Sequence, residues 1–397
     1  MNKYRLLRRM AARNPFSAPL QHSAARRRFL QGVASGLAAA SLSGTAEART
    51  RPLSLLTWDA YADPELLRLW RKKTRVNVRY EIHISDPSSV NRLRAGETSV
   101  WDFINVNNPW ARNVMWPAGL IRELPRERFE PLYGHMHEKF SMPYKWAMSE
   151  DGAKLLGVVQ RYETFDFVVN SDVISPKLAK DEGWDLFNNP DFKGRYGILA
   201  YEDWNVMDIC MGAGIDPFKV KSDAEVARFE QTARRWIDNA ALITTDFVQM
   251  NLAMLNREID LYFTGGTYTT AAARLEGVRE LHAITPQRGP ANGKGGINWI
   301  ELNSAVNNPN PHPNILDWLE WITTPEAAEL VARGNGNLQP VSQMAQPEVF
   351  SRFSKRDLDA IQWDEFDERI GNAVEYDIVP DYDRLYDIYS AAIRARG

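Results

Sequence analysis

The segment LLTWDAYADPELLRLW (residues 55–70) joins an apolar run to a periodic one. Residues 53–57 form a short apolar stretch, which is typical of a buried strand. Asp63 followed by Pro64 is typical of a helix start, because the Asp side chain accepts hydrogen bonds from free amides and proline fits the first helical position. The apolar residues that follow form one helical stripe: Leu66, Leu67 and Trp70. The segment therefore predicts a strand that leads directly into a helix.

Two more strands are predicted downstream. RVNVRYEIHI (75–84) alternates strictly, which predicts one buried and one exposed face. The alternation places five apolar side chains inside and four polar ones outside: Val76, Val78, Tyr80, Ile82 and Ile84 against Asn77, Arg79, Glu81 and His83. A helix over 88–94 and the strand WDFINV (101–106) come next. This β-α-β-α-β order predicts a parallel sheet with helices on its faces.

A second block of the same character begins at GVVQRYETFDFVVN (157–170). The strands RYGILA (195–200), IDLYF (259–263) and GGINWIEL (295–302) follow, with helices between them. The tail from about residue 342 has a helical, charged pattern. Because no internal repeat or long linker separates the blocks, the sequence predicts an α/β protein of two lobes that share strands.

The first 48 residues differ in composition from the rest. They contain eight Lys or Arg and one acid, Glu47; without them 40 basic and 50 acidic side chains remain, so the net charge changes from −3 to −10. Residues 26–30 (RRRFL) are a twin-arginine signature, GVASGLAAASLSG is a short apolar stretch, and residues 46–48 form an A-x-A cleavage site. This order predicts a twin-arginine signal peptide, 1–48, that is removed on export to the periplasm.

The number and position of cysteine residues are consistent with an exported protein that has no disulfide and no lipid anchor. Cys210 is the only cysteine, which excludes an internal disulfide, and its apolar neighbours predict an inert core thiol. No cysteine near the cleavage site is available to carry a lipid, so we expect the mature protein to be soluble in the periplasm rather than anchored. Its acidic body argues against nucleic acid or an anionic membrane as a partner.

Aromatic and polar residues gather at the predicted carboxyl ends of four strands, where ligands bind in open α/β sheets. They are Trp58, Asp59 and Tyr61 after the first strand, Asn107, Asn108 and Trp110 after WDFINV, Tyr201, Glu202 and Trp204 after RYGILA, and Thr264 and Tyr268 after IDLYF. Aromatic rings beside amide, hydroxyl or acid groups predict a cage for a small polar or cationic molecule. The alternative is that these rings belong to the core, since the chain must bury most of its thirteen tryptophans.

Enzyme motifs are absent from the sequence. It contains no G-x-S-x-G, H-E-x-x-H, P-loop or G-x-G-x-x-G pattern, and no segment suited to a flavin, haem or iron–sulfur centre. His135 and His137 are close enough to hold a metal, but a solvated loop is the better explanation for them. We therefore expect a protein without catalytic residues, bound metal or cofactor.

Five stretches, in this order, resemble the spermidine/putrescine-binding periplasmic proteins of ABC transporters, within the two-lobed type II solute-binding superfamily. They are LLTWDAYADPELLRLW, WDFINVNNPWARNVMWPAGLIREL, GVVQRYETFDFVVN, the pair WDLFNNPDFKGRYGIL and IDLYFTGGTYTTAAAR, and GGINWIEL. The likeness spans essentially all of the chain after residue 48. It implies two lobes, each a mainly parallel sheet flanked by helices, joined by hinge strands.

The resemblance also implies roles for particular residues. In that family an aromatic box stacks on the polyamine, and acids pair with its ammonium groups. Trp58 and Tyr61 match the aromatic residues of the first strand, and Trp299 and Glu301 match a Trp-x-Asp motif. Strand alternation places Trp299 and Glu301 on one face, which fits an indole wall beside an ammonium partner. Two further positions match less closely: Tyr162, where the family commonly has Trp, and Gln339, in the region that closes the pocket.

Departures from the family pattern leave the ligand open. Ala60 replaces a frequent Glu, although Asp59 is adjacent, and Thr264 replaces a Trp. The second-lobe acids fall in YEDW (201–204), and Arg161 lies beside the expected hinge, where it could face a carboxylate. A diamine needs acids at both ends of the site. The ligand is therefore a polyamine or, alternatively, a mono-cation or a zwitterion such as an ω-amino acid.

Under this resemblance one lobe comprises 49–158 plus 302–342, and the other comprises 159–301 plus 343–397. The chain would act as a monomeric receptor that closes on an amine-bearing solute and passes it to an inner-membrane ABC permease and its ATPase, after export by the twin-arginine translocase. Three alternatives remain: a metal receptor, although such receptors use adjacent tyrosines that this chain lacks, a twin-arginine-exported enzyme, and an interaction protein without a small ligand.

Overall fold

The computed structural model describes residues 51–83 and 85–396, so the predicted signal peptide lies outside the described residues. The strands are β1 (Leu53–Thr57), β2 (Val78–Ile82), β3 (Phe103–Asn107), β4 (Val158–Asn170), β5 (Tyr196–Leu199), β6 (Leu242–Thr244), β7 (Leu261–Gly265), β8 (Leu281–Ile284), β9 (Gly296–Ala305) and β10 (Ala373–Glu375).

The helices alternate with these strands in the order that the sequence predicts. They are α1 (Pro64–Thr74), α2 (Asp86–Arg94), α3 (Arg126–Tyr133), α4 (Pro176–Glu182), α5 (Glu202–Gly212), α6 (Asp223–Asn239), α7 (Phe247–Leu255), α8 (Thr267–Leu275), α9 (Ile315–Trp321), α10 (Pro325–Ala332), α11 (Pro347–Phe350), α12 (Lys355–Ala360), α13 (Phe366–Gly371) and α14 (Tyr382–Arg396). The Asp63 side chain caps α1 by accepting from the amides of Glu65 and Leu66, as predicted. No helix within the described part of the chain is both long and apolar enough to span a bilayer.

The strands form two parallel groups joined by long antiparallel strands. Their order is β2-β1-β3-β9-β4-β7-β5-β6, with β10 beside β9 and β8 beside β4. β1 pairs in parallel with β2 and β3, and β5 pairs in parallel with β6 and β7. Between the groups, β9 pairs antiparallel with both β3 and β4. The predicted two-lobed α/β architecture is confirmed.

The strands β4 and β9 cross from one lobe to the other. Val158 and Val159, at the start of β4, pack in the core that surrounds β1, whereas Phe165 and Phe167 pack in the core that surrounds β5. β9 divides in the same way, since Ile300 and Leu302 belong to the first core and Ile297 and Trp299 to the second. Both segments therefore act as the crossover strands that the sequence predicts, and residues midway along them lie between the lobes.

The tail divides between the lobes differently from the prediction. Residues 343–397 were expected in the second lobe, but Val349, Ile361 and Phe366 pack in the core of the first. Only the later part, including Tyr376 and Leu385, packs with the second core. The predicted boundary at 342/343 does not match this packing, because a charged helical pattern reveals that a helix has an apolar face but not which core receives that face.

The predicted faces of β2 also need correction. Tyr80, expected inside, is 45% exposed, and His83, expected outside, is buried. Val76 and Val78 do pack against the first core, as the alternation predicts. Because β2 lies at the edge of the sheet, where fewer elements cover it, the alternation fails at Tyr80. His83 follows the strand and its Nε2 is 2.9 Å from the carbonyl oxygen of Asn105. Ile84 lies outside the described residues.

Cys210 is buried in α5, as its apolar neighbours predict. Burial is the main reason that the pKa of its thiol is raised to about 12. Since the thiolate is the reactive form of cysteine, this residue stays a neutral core side chain at any physiological pH.

Candidate functional site

A cavity lies between the lobes, at the carboxyl ends of their parallel strands. It encloses about 80 Å³, more than the ~10–15 Å³ that one water needs. The lining residues come from both lobes and from the loop after α10: Trp58, Asp59, Asn107, Arg161, Tyr201, Trp204, Phe247, Tyr268, Trp299, Glu301, Asn337 and Gln339. This is the position that ligands occupy in open α/β sheets.

Aromatic rings form a wall that is continuous across the two lobes. The ring of Trp204, on α5, lies 6.1 Å from the ring of Trp58 after β1, and 5.0 Å from that of Tyr201. Tyr268, on α8, is 6.2 Å from Trp204 and 6.1 Å from Trp299. These centroid distances are those of packed aromatic pairs, so one apolar surface spans the two lobes.

The ends of β1 and β3 are tied together under this wall. The Oδ1 atom of Asn105 accepts hydrogen bonds from the Thr57 hydroxyl at 2.8 Å and from the Trp58 amide at 2.9 Å. Nearby, Ala60 packs so closely on Gly334 that a Cβ at position 334 would lie 2.4 Å from the Ala60 Cα. Ala60 is also fully buried, so the charge of an acid at position 60 would be buried as well.

Arg161 and Glu301 form a buried ion pair at the cavity wall. The Nε and Nη2 atoms of Arg161 donate to the two oxygens of Glu301 at 2.8 and 2.6 Å. Glu301 also accepts from the Tyr61 hydroxyl at 3.1 Å and from the Asn105 amide at 3.4 Å. Burial disfavours the charge of Arg161, but Glu301 outweighs that effect and the pKa of Arg161 is raised. Arg161 therefore stays ionised.

This pairing changes the role predicted for Glu301. The sequence suggested a bare carboxylate beside Trp299 that pairs with a ligand ammonium. In the structure, protein donors occupy both carboxylate oxygens, and the strongest of them is itself a cation. The partner, Arg161, is 140 residues away in the chain. In the structure Glu301 is therefore the partner of Arg161.

Asp59 is the second lining carboxylate. Its Oδ1 atom lies 3.8 Å from the Nη1 atom of Arg161, and its side chain is 24% exposed. Burial raises the pKa of Asp59, and the positive charge of Arg161 opposes that rise. The cavity thus has an acid and a guanidinium side by side, of which only the guanidinium is fixed by a second carboxylate.

Three polar atoms of lining residues have no hydrogen-bond partner among the described residues: Trp58 Nε1, Trp299 Nε1 and Gln339 Oε1. All three are buried. A buried donor or acceptor without a partner costs stability, and all three of these atoms belong to residues that line the cavity.

Eight of the fourteen predicted site residues line the cavity: Trp58, Asp59, Asn107, Arg161, Trp204, Trp299, Glu301 and Gln339. Tyr61 lies one contact away, through Glu301. The side chain of Glu202 lies outside the described residues.

Four other predicted residues have structural contacts instead. The Asn108 side chain bridges the Ile300 amide and the Tyr376 carbonyl, and Trp110 donates to the Tyr376 hydroxyl. The Thr264 hydroxyl lies between two polar side chains of α5, at 2.7 Å from the Asn205 amide and 2.5 Å from the Asp208 carboxyl. These residues stabilise the strand ends rather than face the cavity.

Tyr162 is the fourth. It packs on Phe140 and Phe366 in the core of the first lobe, with ring centroids 4.8 and 5.2 Å away. The register between β4 and β9 shifts between Val159 and Tyr162. A shift of this kind changes which face a side chain occupies, so Arg161 reaches the cavity and Tyr162 does not.

Four lining residues lie outside the predicted site set: Tyr201, Phe247, Tyr268 and Asn337. Tyr201 and Tyr268 are among the aromatic residues predicted at the strand ends. Phe247 follows β6, so the rule that located Trp58 and Trp204 covers it as well. Asn337 lies in a loop without a pattern of its own, and its side-chain amide donates to the Tyr268 carbonyl at 2.6 Å. That bond connects the two lobes across the cavity.

A family model described as "Bacterial extracellular solute-binding protein" matches residues 71–356. The chain belongs to this family. The resemblance inferred from the five sequence stretches is thereby confirmed, and the family is one of solute-binding proteins rather than enzymes.

The chain is also similar to individual proteins that are named for binding small solutes. The putrescine-binding periplasmic protein PotF of Escherichia coli (strain K12) is 23% identical over 185 residues, which cover 43% of this chain and 45% of PotF. Two solved structures share the fold. PotD, a spermidine/putrescine ABC transporter substrate-binding protein from Streptococcus pneumoniae, has 15% identity and a TM-score of 0.64, covering 88% of this chain and 100% of PotD. The Atu4243 GABA receptor has 15% identity and a TM-score of 0.60, covering 87% and 98% of the two chains.

Proposed function

We propose that this protein is the periplasmic substrate-binding component of an ABC importer. It captures a small amine-bearing solute between its lobes and delivers it to an inner-membrane permease and its ATPase. The observation that carries the proposal is the cavity at the strand ends, whose aromatic wall and charged groups come from both lobes. An aromatic wall suits a cationic amine, since an ammonium over an indole gains roughly 0.5–2 kcal/mol.

Closure around the solute supplies the means of capture. The crossover strands β4 and β9 serve as the hinge, and contacts such as that between Asn337 and Tyr268 form only when the lobes meet. A solute that touches both lobes favours the closed form over the open one and shifts the population toward it. The closed form is then the shape that the permease recognises.

The proposal extends to the export and the localisation of the protein. Residues 1–48 act as a twin-arginine signal, so the chain passes through the twin-arginine translocase and is released, monomeric and without a lipid anchor, into the periplasm. Among relatives, PotF is named for putrescine and Atu4243 for GABA. Two solute classes are therefore in question, a polyamine and a zwitterion of the amino-acid type.

A thermal-shift screen of residues 49–397 tests the proposal. The panel contains putrescine, spermidine, cadaverine, ω-amino acids, α-amino acids, betaines and organic acids. A true solute at about 100 times its Kd adds about 2.7 kcal/mol to the free energy of unfolding, which raises Tm clearly. The same solute should shift a Trp204→Ala variant clearly less at that concentration, because the variant loses the stacking contact. Hits that shift both proteins equally, or a panel without hits, would count against a solute receptor.

A further inference from the structure

We propose that the solute has a carboxylate next to its amine, as in the head group of an α-amino acid, and that Arg161 binds the carboxylate while Asp59 binds the ammonium. This inference rests on the proposed function and narrows it to one of the two solute classes. In this proposal Arg161 is a binding residue that contacts the solute. Glu301 is a positioning residue that orients Arg161.

The guanidinium of Arg161 has a fixed orientation. A guanidinium is planar, so two hydrogen bonds from Nε and Nη2 to one carboxylate determine where Nη1 points. Within the described residues Nη1 makes no hydrogen bond; its nearest acidic atom is the Asp59 Oδ1 at 3.8 Å. A fixed cation with N–H donors still available, in a cavity wall, is suited to an incoming carboxylate.

The charged groups of the site lie close together. The Nη1 of Arg161 and the Oδ1 of Asp59 are 3.8 Å apart, so the site presents a positive and a negative group side by side. An α-amino acid presents the matching pair, because both of its charged groups are bonded to one carbon. A diamine has no group for Arg161 and would place an ammonium near a guanidinium, which repels it.

Three polar atoms of lining residues lack hydrogen-bond partners among the described residues. The indole nitrogens of Trp58 and Trp299 are donors only, and both lack an acceptor among the described residues. A carboxylate has lone pairs for several donors, whereas an ammonium has none. Gln339 Oε1, an acceptor without a donor, suits the ammonium instead. The remainder of the solute then lies along the wall formed by Trp204 and Tyr268.

Matched pairs of compounds test the inference on the unaltered mature protein by titration calorimetry. Each pair differs only in the carboxylate: L-ornithine and putrescine, L-lysine and cadaverine, L-leucine and isopentylamine, L-phenylalanine and phenethylamine. In whichever pair binds, the amino acid should bind about 10- to 100-fold more tightly, the effect expected of one charge-assisted hydrogen-bond set. An amine that binds as tightly as its amino acid overturns the inference but leaves the proposed function intact. If no compound of this or the wider panel binds, the proposed function itself fails.

Variants locate the effect at Arg161. The double variant Arg161→Gln/Glu301→Gln removes both charges together, so no buried charge is left without a partner. It should lose the preference for the carboxylate, with the two Kd values of a pair becoming equal within about threefold. Arg161→Met alone frees Glu301 and should favour the amine over the amino acid. A folded double variant that keeps the preference would contradict the assignment, and Arg234→Met, at an exposed pair on α6, is the control.

Discussion

Arg161 and Arg369 are both buried, and both contact carboxylates at 2.6 Å, yet their surroundings differ. Arg161 pairs with one carboxylate in two parallel bonds and lines the cavity. Arg369, on α13, uses a single nitrogen, Nη2, for Glu163, Asp166 and the hydroxyl of Thr164. Its other nitrogens are buried without partners among the described residues.

The difference separates recognition from structure. Around Arg369 one cation faces two carboxylates, and burial is the main reason that the pKa of Glu163 is raised to about 7. No solute reaches this cluster, because all three side chains are at most 1% exposed. Around Arg161 one carboxylate, Glu301, accepts two hydrogen bonds, a second, Asp59, lies 3.8 Å away, and all three residues line the cavity. Burial with a partner stabilises the fold, whereas an accessible donor is needed for binding.

The largest effect is expected for Arg369→Met. It leaves two buried carboxylates without their cation, and the free energy of unfolding should fall by about 3–5 kcal/mol. Urea denaturation measures this fall. The matched control, Arg234→Met, breaks an exposed pair on α6 and should change stability by less than about 0.5 kcal/mol. An equal fall in the free energy of unfolding for the two variants would show that the buried cluster stabilises the fold no more than an exposed ion pair does.

Glu301→Gln should have a smaller effect on stability and a clear one on binding. The amide keeps one acceptor for Arg161 but removes the charge, so about 1–3 kcal/mol of stability should be lost. Affinity for the solute should also fall by about tenfold, because Arg161 is no longer held in one orientation. Denaturation and calorimetry on the same sample measure both quantities. Unchanged affinity would mean that Glu301 does not position Arg161.

Trp204→Phe should weaken binding while the fold stays intact. The smaller ring keeps the wall but reduces stacking area, so the expected loss is about 0.5–1.5 kcal/mol of binding free energy. Phe229→Leu, in the core of the second lobe, is a useful contrast because it alters packing away from the cavity. It should lower Tm and leave Kd almost unchanged. If Phe229→Leu weakens binding and Trp204→Phe does not, the solute binds away from Trp204.

The smallest effect concerns His83, which lies beside Trp58 with ring centroids 4.3 Å apart. Burial is the main reason that the pKa of His83 is lowered from 6.5 to about 4, and the positive charge of Arg161 adds to the lowering. The unfolded chain therefore binds this proton first as pH falls, so the stability contributed by neutral His83 is complete above 6.5 and is lost toward pH 4.

An NMR titration of the imidazole signals measures this pKa. His83 should titrate near 4 in the wild type, and its pKa should rise by less than about one unit in Arg161→Met, which removes one of two nearby cations. A value near 6.5 in the wild type would contradict the buried environment, and no rise in the variant would show that the cavity charge does not extend to His83.

The sequence predicted the fold better than the site, for a physical reason. Strand alternation, the Asp63 cap and the strand-to-helix order are local, so a short window contains the information for them. The Arg161–Glu301 pair is not local, since 140 residues separate its members. Nor is the register shift in β4 that directs Arg161 and Tyr162 to different surroundings, because it depends on how β4 pairs with β9.

Residues at strand ends were predictable because all parallel strands deliver their carboxyl ends to the same edge. That rule located Trp58, Asp59 and Trp204, and it extends to Phe247, which lay outside the predicted set. What it does not distinguish is a ring that faces the cavity from one that supports the strand end, as Trp110 does through its bond to the Tyr376 hydroxyl.

The most direct test is a crystal structure of the mature protein with the tightest-binding solute from the screen. The account predicts a carboxylate oxygen about 2.7–3.2 Å from the Nη1 atom of Arg161, with the pair between Arg161 and Glu301 retained and the amine beside Asp59. A solute whose ammonium instead contacts Glu301, with Arg161 displaced from it, would contradict the account.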